Sequence, residues 1–310
     1  MAGRKKKKKS TKKNDYSTSQ LFNFARDSYL ERTSRPVYAI VFLLPFIAFY
    51  EIGTILINTD VLNRTQVRVV AFVWLQQFLA YLGTSDRLAW IAPPLVVIII
   101  LIGLQLASRK RWYFCLGDYT PMVLECTALA VPLIVLSLFF NGAATGQGDV
   151  TDTGDRRAPS LACVAAEPAG GPIASTGVVM AANPEQTHSL MANIVTGVGA
   201  GIYEELVFRL ILICILMLLF QDVFGLSHAN AMVLAVLISA ALFSAHHHVV
   251  FVNGRLGSSE PFDWAKFGFR TMAGVYFAAL FAIRGFGITA GTHAFYDIFA
   301  TIINALFFAR

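Results

Sequence analysis

The stretch from Ile194 to Phe220 reads IVTGVGAGIYEELVFRLILICILMLLF, apolar or glycine-rich except at Glu204, Glu205 and Arg209. Its length exceeds the roughly 20 residues that an α-helix needs to cross the hydrocarbon core of a bilayer. A charge near the bilayer centre costs roughly 2.5–3.5 kcal/mol on insertion scales, so ionisable residues there indicate a functional or paired site. The stretch therefore predicts a membrane-spanning helix that carries chemistry.

The composition of the whole chain agrees with this interpretation. Only 14% of its 310 residues are charged, and its mean hydropathy is +0.59, whereas soluble domains carry about 25% charged residues. The net charge of +6 comes from the basic run at residues 4–13. That run could bind nucleic acid or anionic lipid, but the positive-inside rule explains it as a topology signal. We therefore expect a multi-pass integral protein of the plasma or inner membrane, with a cytoplasmic N-terminus and no nucleic-acid partner.

The hydropathy pattern divides the chain into four regions. Residues 1–36 are a basic, disordered cytoplasmic tail and lead-in, and residues 37–140 hold the N-terminal spans. Residues 141–189, rich in Gly, Ala, Pro and Thr, form a loop, and residues 190–310 form the domain with the chemistry-bearing residues. The expected fold is an all-α bundle of about seven or eight transmembrane helices. The predicted spans are Val37–Asn58, Ile91–Ala107, Pro121–Phe140, Met191–Phe224, Ala229–Val250, Phe267–Ile283 and Ile288–Phe308, and the amphipathic stretch Arg64–Leu82 either lies in the interface, which we favour, or crosses.

Helix geometry separates the two adjacent glutamates. Neighbouring side chains point about 100° apart, whereas Glu205 and Arg209 are i,i+4 neighbours that can form an ion pair. Glu204 is then left to project into a cavity, where a poorly solvated carboxyl group can be poised as a general base. The alternative is that all three residues form a buried structural network.

Histidines on two other predicted spans extend the pattern. His293 and Asp297 repeat the i,i+4 spacing, so the carboxylate can orient the imidazole. His246, His247 and His248 end an apolar run, and consecutive histidines splay around a helix, so one of them is expected to face a given site. An acid and imidazoles on separate spans suggest a catalytic site within the membrane, although no HExxH zinc helix is present.

Three short motifs resemble those of the CPBP family, the CAAX prenyl protease and bacteriocin-processing proteins, also called type II CAAX prenyl endopeptidases. The EExxxR motif is matched by EELVFR at 204–209, and FxxxH by FSAHH at 243–247. HxxxN or HxxxD is matched by HAFYD at 293–297. The resemblance extends over roughly residues 190–310, and the N-terminal half carries no matching motif.

The resemblance implies an intramembrane endopeptidase that cleaves a peptide bond near the membrane boundary. It gives Glu204 the role of general base, assisted by His247, and it gives His293 the role of stabilising the oxyanion, with Asp297 orienting it. Its catalytic set is Glu204, Glu205, Arg209, His247, His293 and Asp297. The expected partners are membrane lipid and a protein or peptide substrate, prenylated or not.

Three questions stay open at the level of sequence. Some descriptions of the family treat it as metal-dependent, in which case Glu204, His247 and His293 would ligate a divalent ion such as zinc. A non-catalytic member would act as a membrane chaperone or immunity-type binding protein. A cation or proton transporter would instead relay through Glu51, Glu125, Glu204 and the histidines.

The predicted spans also raise a question of depth. Glu204 lies well inside its span, whereas His293 follows the predicted start of the last span by only five residues. We expect the last span to start late, to tilt, or to unwind around Gly285, Gly287 and Gly291, since irregular backbone is tolerated where it lines a cavity.

Overall fold

The computed structural model confirms an all-α architecture of packed apolar helices. It describes residues 24–25, 27–57, 66–85, 88, 91–145, 163–166, 190–252, 255–258 and 262–307. The basic run at residues 4–13, predicted to be disordered, lies outside the described residues, and so does most of the predicted loop. The α-helices of the described chain are α1 (Tyr29–Thr33), α2 (Pro36–Ile57), α3 (Val70–Tyr81), α4 (Ala92–Ser108), α5 (Tyr119–Thr145), α6 (Leu190–Glu205), α7 (Ile213–Leu218), α8 (His228–Ala245), α9 (Trp264–Arg284) and α10 (Phe286–Phe307).

Shorter elements join these helices. A 3₁₀ turn, Leu116–Asp118, precedes α5, and π-helical segments Leu206–Leu212 and Leu219–Val223 flank α7. Four-residue strands form two antiparallel ribbons. These strands were not predicted, because segments of four residues show too little periodicity to be recognised. The ribbons pair β1 (Gln66–Val69) with β2 (Cys163–Ala166), and β3 (Val249–Val252) with β4 (Arg255–Ser258).

Five helical segments of the described chain are long and apolar enough to cross a membrane. They are Pro36–Ile57, Leu116–Phe140, Leu190–Val223, His228–Ala245 and Trp264–Arg284. The expected seven or eight spans are therefore not confirmed as a count. The amphipathic stretch contains α3, whose 12 residues rise about 18 Å, short of the 30 Å core. Its length agrees with the favoured interfacial placement.

Glycines set the close packing of the two helices at the centre of the bundle. A Cβ atom on Gly197 of α6 would lie 2.7 Å from the Asp297 Cβ of α10, and one on Gly201 would lie 2.6 Å from the Ala294 nitrogen. Only hydrogen fits at such contacts, so the backbones approach closely, as small residues allow in membrane bundles. This packing places the end of α6 beside the middle of α10.

The chain reverses between α9 and α10 at a single residue. Gly285 has a φ of +76°, a conformation that glycine adopts without steric cost. From Phe286 onward α10 is continuous. Of the three expected alternatives, a late start and an unwinding at Gly287 and Gly291 are therefore excluded, and a tilt of the span stays a prediction. A Cβ on Gly287 would meet the Ala39 backbone of α2, and one on Gly291 would meet the Phe42 ring. These two glycines therefore serve helix packing.

A polar network ties the lead-in helix to the reversal. Arg284 donates to both carboxylate oxygens of Glu125 on α5, at 2.5 and 2.8 Å, and to the Leu30 carbonyl at 2.7 Å. The Tyr29 hydroxyl donates to the same carboxylate at 2.7 Å. Burial and then the Glu125 carboxylate raise the pKa of Tyr29, so this hydroxyl stays protonated. The network holds α1, α5 and the end of α9 together.

Candidate active site

The EExxxR motif spans the junction of α6 with the first π-helical segment. Glu204 and Glu205 are the last residues of α6 and are 4% and 0% exposed, and Arg209 lies in the π-helical segment and is fully buried. A π-helical turn changes the angular spacing of side chains and is frequent at functional sites. The predicted intramembrane charges are therefore buried inside the protein.

Glu205 is the paired carboxylate, as its spacing predicted. Its Oε2 atom lies 3.1 Å from Arg209 Nε, and its Oε1 accepts a 2.7 Å hydrogen bond from His293 Nδ1. The Arg209 guanidinium donates to the Gly274 carbonyl at 3.3 Å and lies over the Phe243 ring, 4.2 Å from its centre. Glu205 thus joins the buried guanidinium to the histidine of the third motif.

His293 is held in a fixed orientation from three sides. Its Nδ1 bonds to Glu205, which directs Nε2 toward Glu204 Oε2 at 4.0 Å and toward Asp297 Oδ2 at 3.5 Å. The imidazole stacks on Phe277 of α9 with centres 4.4 Å apart and planes 19° apart. A ring whose tautomer and plane are both set by neighbours is preorganised for proton transfer or charge stabilisation.

The histidine nearest to Glu204 is His246, which the motif spacing did not select. Helix α8 ends at Ala245, and the turn that follows directs His246 Nε2 to 3.4 Å from Glu204 Oε1. His246 Nδ1 also contacts the Phe243 carbonyl. The His247 ring centre lies 4.0 Å from that of His246, and its Nδ1 has no hydrogen-bond partner among the described residues. Both imidazoles therefore border the free acid.

The structure thus brings the residues of all three motifs into one buried cluster, although no sequence pattern singled out Phe277 or chose His246. Phe277 lies outside the motifs, and which of the three consecutive histidines faces Glu204 depends on the turn that follows the end of α8. We call this set the acid–histidine cluster. It consists of Glu204, Glu205, Arg209, His246, His247, His293 and Asp297.

Charge balance constrains the cluster. It holds three buried carboxyl groups against the single guanidinium of Arg209. Burying unpaired like charges is costly, so the site favours either protonated groups or a bound cation. A site that readily takes up protons or positive charge suits acid–base chemistry.

The donor atoms also fit a divalent metal. Glu204, His246 and His247 each offer one ligand atom, and these atoms all lie within 4.8 Å of one another. Two imidazoles and one carboxylate form a ligand set that zinc accepts in catalytic sites, with a further position left open. His293, which the resemblance included, is instead engaged by Glu205 at Nδ1.

The two remaining glutamates proposed for a transporter relay have other contacts. Glu125 pairs with Arg284, and Glu51 accepts a 3.1 Å hydrogen bond from the Tyr203 hydroxyl. Neither contact involves a residue of the acid–histidine cluster. This arrangement gives no support to a relay through both residues.

Comparison with known proteins supports the motif-based recognition. The family model described as Type II CAAX prenyl endopeptidase Rce1-like matches residues 184–299, a segment that contains all three motifs. No curated protein and no solved structure was found to match the chain. The matched family and the apolar helices together indicate an integral membrane protein. Residues 184–299 are thus similar to the Rce1-like family of type II CAAX prenyl endopeptidases.

Proposed function

We propose that the protein is an intramembrane endopeptidase whose nucleophile is a water molecule activated by Glu204. The observation that carries this proposal is a buried carboxyl group that faces imidazoles from two other helices. Glu204 lies 3.4 Å from His246 Nε2 and 4.0 Å from His293 Nε2. Separations of this size suit a shared water or substrate oxygen between the groups.

In the proposed reaction, Glu204 takes a proton from water as the water attacks the scissile carbonyl carbon. The same carboxyl group then delivers that proton to the leaving amine, as a general acid–base residue does. His246 or His247 hydrogen-bonds the water and fixes its direction of attack. The supporting feature is that both imidazoles border Glu204 at the end of α8.

His293 is proposed to stabilise the oxyanion of the tetrahedral intermediate. Since Nδ1 is bonded to Glu205, a donor at Nε2 requires the doubly protonated ring. The carboxylates of Glu205 at 2.7 Å and Asp297 at 3.5 Å stabilise that imidazolium. Removing one donor of this kind in other enzymes lowers the rate about 10²–10³-fold. Arg209 in turn holds Glu205 in place.

A divalent metal remains compatible with this site. Glu204, His246 and His247 would hold it, rather than the set with His293 that the resemblance implied. Such an ion supplies Lewis acidity at a carbonyl oxygen. The roles of Glu205 and Arg209 in positioning His293 are the same with or without it.

The substrate is proposed to be a membrane-associated peptide, prenylated as in the CAAX class or unmodified. Full-length protein in proteoliposomes can be offered two fluorogenic peptides of one sequence, with and without a prenyl group on the cysteine. Cleavage of either peptide by the wild type and loss of cleavage in Glu204→Gln supports the protease. No cleavage of any membrane peptide, with binding retained in Glu204→Gln, would favour the chaperone or immunity-type alternative.

A further inference from the structure

A second polar site lies near the basic residues 109–111 and Trp112 that follow α4, a pattern typical of a membrane boundary. The cavity has a volume of about 430 Å³ and is lined by Asp27, Arg32, Arg35, Arg111, Tyr113 and Cys115. It lies beside the start of α2 at Pro36, the end of α4 at Ser108 and the 3₁₀ turn that begins at Leu116. It shares no residue with the acid–histidine cluster. We call it the boundary cavity.

Most cations around the boundary cavity are already paired. Arg32 donates to both carboxylate oxygens of Asp118, at 3.0 and 2.8 Å, and to the Asp27 carbonyl at 2.6 Å. Arg35 pairs with Glu31 at 2.5 Å and with Asp27 at 3.0 Å. These contacts fix the two guanidinium groups as walls of the cavity.

Arg111 differs from its neighbours. Lys110 lies 3.5 Å from Glu31. The Arg111 carbonyl accepts a 3.5 Å hydrogen bond from Gln105, but the exposed Arg111 side chain has no hydrogen bond or ion pair with any residue that the structure describes. The lining thus holds three guanidinium groups and one carboxylate. Asp118, Glu31 and Asp27 balance Arg32 and Arg35, so the Arg111 side chain is the guanidinium of this lining that is left to bind an anion.

The aromatic residues beside the cavity favour a lipid phosphate as the anion. Trp112 and Tyr113 beside it are 57% and 56% exposed, as aromatic residues are at the level of lipid headgroups. A guanidinium binds phosphate through two parallel hydrogen bonds, and basic pockets beside transmembrane helices bind anionic headgroups. The volume is in the range of about 300–1,000 Å³ that is usual for ligand pockets.

We propose that the boundary cavity binds the phosphate group of an anionic phospholipid, with Arg111 as the residue that engages it. Arg32 and Arg35, each paired with a carboxylate, form the wall beside it, and the exposed Trp112 and Tyr113 lie next to the cavity at the level proposed for the headgroup. The site is separate from peptide cleavage and holds whether or not the chain is a protease.

The test compares two substitutions that are two residues apart. Arg111→Gln removes the uncommitted guanidinium, and Arg109→Gln removes an exposed cation of the same segment that does not line the cavity. Full-length protein is equilibrated with equal amounts of phosphatidylglycerol and phosphatidylcholine, and retained lipid is measured by native mass spectrometry. We expect preferential retention of phosphatidylglycerol, reduced about fivefold in Arg111→Gln, the equivalent of about 1 kcal/mol per basic residue. Arg109→Gln should retain the wild-type amount.

Two results would overturn the proposal. One is equal retention of the two lipids by the wild type, and the other is an equal loss in both variants, which would indicate a diffuse charge effect. A further arm adds inorganic phosphate to protein in neutral detergent and measures the unfolding midpoint. Stabilisation by phosphate that depends on Arg111, without retention of phosphatidylglycerol, would assign the cavity to free phosphate instead of lipid.

Discussion

Replacing Gly201 by alanine should separate α6 from α10 and disconnect Glu205 from His293. The added Cβ would lie 2.6 Å from the Ala294 nitrogen and 2.8 Å from the Ala290 carbonyl oxygen, both backbone atoms that cannot rotate away. Reaching an ordinary contact of about 3.4 Å requires the helices to part by about 0.8 Å. The 2.7 Å hydrogen bond from His293 to Glu205 would then lengthen to about 3.5 Å, beyond the normal range.

The expected cost can be estimated against a matched glycine. Overpacking of this kind costs about 1–3 kcal/mol, while replacing a helical glycine by alanine gains up to about 1 kcal/mol. A Cβ added at Gly103 on α4 would have no atom within 4 Å, so Gly103→Ala measures the gain in helix stability without overpacking. We therefore expect Gly201→Ala to be less stable than Gly103→Ala by about 1–3 kcal/mol.

The assay combines thermal unfolding in detergent with cleavage of a membrane peptide. A displacement near 1 Å at a catalytic group can cost about 10²-fold in rate, so Gly201→Ala should lose cleavage even at temperatures where it stays folded. Gly103→Ala should cleave at the wild-type rate. A Gly201→Ala protein as stable and active as Gly103→Ala would refute the close packing of α6 on α10.

Three further predictions concern other parts of the molecule. Glu125→Gln leaves the Arg284 guanidinium buried without a carboxylate, so unfolding in detergent should become easier by about 3–5 kcal/mol. For Glu31, burial favours the neutral form, but the hydrogen bond and charge of Arg35 outweigh it and lower its pKa. The Glu31–Arg35 pair should therefore stabilise the folded protein fully above the unfolded pKa of about 4.3. This stabilisation should disappear as the pH falls through the lower folded pKa. Unfolding midpoints of the wild type and Glu31→Gln, measured over a series of pH values, test this. His246→Ala should lower cleavage about 10²-fold or more.

Each of these outcomes has a stated contradiction. Unchanged stability of Glu125→Gln would show that the network with Arg284 contributes nothing. A wild-type advantage over Glu31→Gln that persists in acid would show that Arg35 does not lower that carboxyl pKa. For His246→Ala, the control is His228→Gln at an exposed histidine, and equal rates in the two would move the assisting role to His247.

Local geometry made the pairing of Glu205, and not Glu204, with Arg209 predictable. In an α-helix the i,i+4 spacing places Glu205 beside Arg209, and the structure keeps the two 3.1 Å apart although Arg209 lies in the π-helical segment after α6. The i,i+4 spacing of His293 and Asp297 likewise agrees with the observed 3.5 Å. Contacts between residues four apart on one helix follow from the helical period, so they can be predicted from the sequence.

Contacts between residues of different helices could not be predicted from the sequence. The choice of His246 depends on where α8 ends and how its last turn is oriented, and the stacking of Phe277 on His293 depends on how α9 lies against α10. The glycines at 287 and 291 suggested unwinding, whereas they face α2 at close range. A glycine permits both a broken helix and a tight helix pair, and only tertiary packing distinguishes them.

The number of spans was also beyond the sequence. Apolar runs mark helices, but two of the seven predicted spans are absent from the five apolar segments. They correspond to α4, which has 17 residues, and to α10, which carries the polar residues His293 and Asp297 of the buried cluster. A hydropathy pattern cannot tell a helix that faces lipid from one buried among other helices.

The most direct test of the central claim is the cleavage rate of Glu204→Gln in proteoliposomes, measured beside Asp222→Asn. Both substitutions replace a carboxylate by an amide on the Leu190–Val223 segment, but Asp222 is exposed and remote in sequence from the cluster. We predict a loss of about 10²–10⁴-fold in Glu204→Gln, with an unfolding midpoint that shows a folded protein, and a wild-type rate in Asp222→Asn. Cleavage by folded Glu204→Gln at the wild-type rate would contradict the assignment of Glu204 as the base.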